Sequence, residues 1–142
     1  MQSLLVPLLG AAVLATGPAD LRVVPMEPAA APAGGTTTVH AFVANNGPEV
    51  AGEFTVTVRA PFGTHAVGPY FPGNCTPDAA ATVVTCTFPA GLGALRSATA
   101  LVPLKLDAGV SGVLAGGRVT VHSAGDPDHR NDSAPFVVRV SG

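Results

Sequence analysis

Apolar and polar residues alternate with a period of two along several short stretches of this chain, and clusters of Asn, Asp, Gly and Pro separate them. That period puts successive side chains on opposite faces of an extended chain, so each stretch predicts a half-buried β-strand. The first is Leu21 to Val24. Pro25 to Gly35 is rich in Pro, Ala and Gly and predicts a connection, because proline breaks both helix and ladder. The second strand, Thr36 to Ala44, sets Val39, Ala41 and Val43 on one face and Thr38, His40 and Phe42 on the other. Asn45-Asn46-Gly47-Pro48 then predicts a chain reversal, since Asn and Gly tolerate positive φ and Pro fixes the next bend. The third strand, Glu53 to Ala60, points Phe54, Val56 and Val58 one way and Thr55, Thr57 and Arg59 the other.

Pro61 to Ala81 is the longest irregular stretch and holds Phe62, His65, Tyr70, Phe71 and Cys75. A connection of that length is either functional or stapled. Further strands follow at Thr82 to Phe88, Ala98 to Leu106, Gly117 to Ala124 and Phe136 to Val140. Pro103 cannot donate to a ladder, which predicts an edge or bulged strand over 98–106. Asp107 to Ala115 is a weak helix former and holds at most a helical turn. About seven strands joined by polar connections predict an all-β, immunoglobulin-like sandwich of two antiparallel sheets.

Composition narrows the picture. The chain has 142 residues, the length of one domain. Its 17 Gly and 14 Pro fall between apolar runs, and with 47% hydrophobic and 11% charged residues the chain is too apolar to stay unfolded. Net charge is −2 with a single lysine, Lys105. No basic stripe exists to neutralise phosphates, which argues against nucleic acid and against an anionic membrane surface as partners. Leu4 to Ala15 is an apolar run of signal-peptide length, too short to span a bilayer. Gly17-Pro18-Ala19 ends a small-residue stretch, which predicts a signal peptide over residues 1–19 and a mature domain over 20–142. Val13-Leu14-Ala15 is the other cleavage site. Residues 1–19 carry no Lys or Arg. The Lys-poor, Ala/Gly/Pro-rich composition reads as bacterial.

Cys75 and Cys86 are the only cysteines. In an exported chain they predict a disulfide that staples the long connection and contributes about 2–3 kcal/mol on the chain-entropy model. Two buried thiols or half of a metal site are the alternatives.

Few residues suggest chemistry. The acidic turn Asp126-Pro127-Asp128-His129-Arg130-Asn131-Asp132 offers oxygen ligands, making Asp126, Asp128 and Asp132 calcium candidates. The EF-hand spacing fails, however: Asn131 stands at the sixth position and Val137 at the twelfth. Asx-type turn bonding explains the same residues. His40, His65, His122 and His129 show no metal-ligand spacing. Gly109-Val110-Ser111-Gly112 lacks the closing glycine of a nucleophile elbow. No cofactor, metal or catalytic set is expected. Asn74-Cys75-Thr76 and Asn131-Asp132-Ser133 match the glycosylation triplet, which has meaning only in a host that glycosylates exported chains. Outward Phe42, Leu101 and Val137 would form a binding patch if they converged.

Ala19-Asp20-Leu21, Ala33-Gly34-Gly35-Thr36, Val43-Ala44-Asn45-Asn46-Gly47-Pro48, Val84-Thr85-Cys86-Thr87 and Asp126-Pro127-Asp128 through Asn131-Asp132-Ser133 occur in that order along the chain. In these landmarks the chain resembles the bacterial conserved-repeat domain known as domain of unknown function 11. The resemblance implies an immunoglobulin-like module of secreted and surface proteins, without catalytic residues. It departs from that family at Arg59-Ala60-Pro61-Phe62-Gly63, where members carry a longer acidic and Thr-rich segment. The expected function is therefore a non-catalytic secreted or cell-envelope module with a structural or protein-interaction role. Its partners would be other extracellular or envelope proteins. The second reading is a stand-alone carbohydrate- or cell-wall-binding module using the 61–81 loop, with Tyr70 and Phe71 as binding residues.

Overall fold

The computed structural model describes residues 18–124 and 132–142. The expected signal peptide therefore lies almost wholly outside the described residues, as do Asp126, Asp128 and His129. Ten strands form two layers: β1 (Leu21–Val24), β2 (Ala31–Pro32), β3 (Thr36–Asn45), β4 (Phe54–Arg59), β5 (Thr64–Ala66), β6 (Thr76–Pro77), β7 (Val83–Phe88), β8 (Ser97–Leu106), β9 (Val113–His122) and β10 (Ser133–Ser141). The small sheet has the order β1-β3-β8-β5 and the large sheet β2-β10-β9-β4-β7-β6. Every pairing is antiparallel except β2 with β10. The seven strands expected from alternation are all present. The additions β2, β5 and β6 are two or three residues long, too short to carry an alternating signature.

The inward rows are those the pattern predicts. Val39, Ala41, Val43, Val102, Leu104 and Leu106 of the small sheet face Phe54, Val56, Val58, Val84, Val119, Val121 and Val138 of the large one, all buried. Each of these Val, Leu and Phe side chains contributes about 1.5–3 kcal/mol by leaving water. Phe54 and Phe88 stack with ring centroids 5.1 Å apart at one end of the core. The outermost strands hold at most four residues each, which leaves little free ladder for edge-to-edge pairing.

Three local expectations are corrected. Most connections cross from one sheet to the other; only β6–β7 and β9–β10 join strands of the same sheet. Asn45-Asn46-Gly47-Pro48 is thus a crossing between layers, and none of its residues has positive φ. Its chemistry is different. The Asn45 side chain is fully buried and accepts from the Asp20 N–H (3.1 Å) and the Gly47 N–H (3.0 Å), while its amide donates to the Glu49 (2.8 Å) and Leu92 (2.9 Å) carbonyls. One carboxamide thereby ties two crossing segments and the chain entering β1 together and leaves none of its own hydrogen-bonding groups unmet. Gly47 is needed because a β-carbon there would strike the Pro18 carbonyl oxygen and lie 2.5 Å from the Asp20 amide nitrogen.

β8 is an interior strand rather than an edge. β3 pairs along it on one side, through Thr38 opposite Pro103, and β5 pairs with only Leu104, Lys105 and Leu106 on the other. Pro103 accepts from the Val67 N–H on that side (3.0 Å), one residue past the end of β5, so its missing donor falls where β5 ends. Finally, the strand expected to begin at Gly117 begins at Val113, inside the weak helix former Asp107 to Ala115.

Candidate functional site

The long 61–81 connection is held at many points. Phe62 N–H donates to the Ala115 carbonyl, Ala66 N–H to Ala81 and Val67 N–H to Pro103. Phe71 and Leu101 exchange two backbone hydrogen bonds, of 3.0 and 2.7 Å, as an isolated antiparallel bridge. Beyond it, Cys75 and Cys86 form the disulfide, with Cα atoms 4.0 Å apart; the thiol and metal alternatives fall away. The bridge joins the segment entering β6 to β7 within one sheet, unlike the inter-sheet bridge of antibody domains. The Asn74 carboxamide extends this ladder, donating to the Thr87 carbonyl (2.7 Å) and accepting from its N–H (3.3 Å). That glycosylation-type asparagine is therefore occupied.

Asp78 closes the turn into β7. Its carboxylate accepts from the Val83 and Thr82 N–H groups and from the Thr82 hydroxyl. The Val83 N–H first, then that of Thr82, holds the carboxyl below its ordinary 3.8, against the opposing effect of desolvation.

These ties leave the two aromatic candidates in different places. Tyr70 packs against the core and is half-buried. Phe71 is 57% exposed. A bridge pair points to one face, so Phe71 stands beside outward Leu101, which lies opposite His40 and diagonal to Phe42. Phe42 in turn lies opposite Val24. The outer face of the small sheet thus carries Val24, Phe42, Leu101 and Phe71 together. Val137 does not join them: it belongs to β10 in the other sheet, at a register shift between Phe136 and Val138.

Among the described residues no group of three His, Cys, Asp or Glu stands close enough to hold a metal ion. Of the calcium candidates, Asp132 precedes β10 and accepts the Val121 N–H on its backbone carbonyl; Asp126 and Asp128 lie outside the described residues. His65 pairs with Asp107 at 3.2 Å on the surface, and Ser111 is exposed between left-handed Gly109 and Gly112. No described helix is long and apolar enough to cross a membrane.

No family model and no curated protein matches the sequence. Solved structures do match. The CARDB domain of a Pyrococcus furiosus protein, solved in complex with di-metal ions, is similar over 87% of this chain and 90% of its own, with a TM-score of 0.57 and 16% identity. The collagen-binding domain of a Staphylococcus aureus adhesin is similar over 87% of this chain and 98% of its own, with a TM-score of 0.53 and 13% identity. The fold is an immunoglobulin-like β-sandwich. At these identities the likeness reaches the architecture and stops there.

Proposed function

We propose that this chain is an exported, non-catalytic interaction module that docks a neighbouring surface or envelope protein through the outer face of its small sheet. The observation that carries the reading is Phe71. Its ring is more than half exposed and its backbone is held by two hydrogen bonds to Leu101, on the sheet face that also carries Phe42 and Val24. Rigid exposed aromatics bordered by apolar side chains bind at low entropic cost. The intramolecular disulfide suits an oxidising compartment, and the resemblance of the ordered landmarks to those of the conserved-repeat domain supports the same setting.

The test uses surface proteins of the producing cells. Labelled wild-type domain is expected to bind saturably, and a Phe71→Ser, Leu101→Thr double variant to lose at least about tenfold in affinity with its circular dichroism unchanged. Equal binding by a folded variant refutes the reading. Intact mass of the exported protein tests the other half: a start at Asp20 supports export by cleavage, and a protein retained in the cytoplasm contradicts it.

A further inference from the structure

The charges of this chain are segregated. None of the residues in the ten strands is acidic, whereas Arg22, Arg59, Lys105, Arg118 and Arg139 all lie on strands. On the large sheet Arg139 is neutralised by Glu27 at 2.8 Å. Arg59 and Arg118 are not. They sit directly opposite one another across β4 and β9, an arrangement of like charges that costs stability. Arg118 donates to the Ser133 hydroxyl (2.8 Å), and Arg59 has no hydrogen-bond or ion-pair partner among the described residues. Neither arginine has a carboxylate partner among the described residues; an anion laid across the pair would supply one.

Phe62 stands beside the pair, just past the end of β4, and is 81% exposed. Its ring lies over Gly116, where a β-carbon would come within 2.7 Å of it; Gly116 is two residues before Arg118 on β9. One side of the ring is seated and the rest is open. Arg59, Phe62, Thr64 and Thr82 share the lining of a cavity of about 340 Å³, near the small end of the range for ligand sites. Away from it, hydroxyl side chains cross the sheet in register: Thr76, Thr85, Thr57, Thr120 and Ser133 form one line over five strands. Each hydroxyl can both donate and accept.

We propose that this end of the large sheet binds an anionic polysaccharide. The paired guanidinium forks take carboxylate or sulfate groups, Phe62 offers the apolar face of a sugar ring a flat surface, and the hydroxyl line meets sugar hydroxyls. An acidic peptide would use the arginines but not the ring and the hydroxyl line together. This surface lies on the opposite sheet from Phe71, so either assignment can fail without the other.

The test is an NMR titration of the full chain with four probes: a galacturonate oligomer, a sulfated oligosaccharide, a neutral cello-oligosaccharide and poly-glutamate. Saturable shifts at Arg59, Phe62, Thr82 and Arg118 are expected with one or both anionic sugars, weakening as salt is raised, and none with the neutral sugar. Which anionic sugar binds distinguishes carboxylate from sulfate recognition. Arg59→Gln, Arg118→Gln and Phe62→Ala should each weaken binding about tenfold, the loss of one charge-assisted or stacking contact. Arg22→Gln, on the other sheet, should leave it unchanged. Binding to neither anionic sugar, equal binding of the neutral sugar, tighter binding of poly-glutamate, or undiminished binding by a folded Arg59→Gln, Arg118→Gln double variant overturns the proposal.

Discussion

Replacing Asn45 by alanine removes a buried carboxamide and its four hydrogen bonds at once. At about 1 kcal/mol net per bond the upper figure is about 4 kcal/mol. Not all of it is lost, because Asp20 is half-exposed and Glu49 exposed, so water reaches some of the freed groups. Gly47 is buried and its N–H stays unmet. The expected loss is therefore about 2–3 kcal/mol, a large share of the roughly 5–15 kcal/mol that holds a domain together, with a fall in Tm of about 10 °C. With no tryptophan in the chain, urea unfolding is best followed by far-ultraviolet circular dichroism. Asn45→Asp sharpens the test. It keeps an acceptor for the Asp20 and Gly47 N–H groups but turns a carboxylate toward the Glu49 and Leu92 carbonyls. It should be at least as damaging at neutral pH and partly recover on acidification, when the protonated acid can donate again. A loss below about 0.5 kcal/mol for Asn45→Ala would refute the idea that this side chain clamps the crossings.

Two further outcomes concern the long connection. A Cys75→Ser, Cys86→Ser variant should lose about 2–3 kcal/mol in the same urea assay; an unchanged midpoint would show that the connection is held without its staple. Asp78 has a folded pKa lowered from 3.8, so its contribution is fully present above that pH and lost as pH falls through the lower folded value. Thermal scans should show the gap between wild type and Asp78→Asn closing over that acid window, and a gap that widened there would contradict the sign.

Alternation made the strands legible because a half-buried strand must alternate. It showed which side chains face inward but not which sheet each strand joins, and this is why Asn45-Asn46-Gly47-Pro48 reads as a reversal. A hairpin turn and a layer crossing use the same residue types; the role of Asn45 depends on Leu92, 47 residues away, which no local pattern contains. Pro103 misleads in the same way, since a missing donor is harmless wherever a neighbouring strand stops short. At the surface, Tyr70 and Phe71 look equivalent in sequence, and the bridge to Leu101 separates them. Arg59 and Arg118 were each legible as outward residues. Their opposition appears only once β4 and β9 are known to be neighbours in register.

The interaction reading is tested most directly by a photoreactive side chain at position 71 in the protein exported by the living cell, with the same group at Thr55 on the opposite sheet as control. A discrete protein adduct is expected from position 71, weakened by Leu101→Thr, and none from position 55. Protein adducts formed equally from both positions, or from position 55 alone, would contradict the reading.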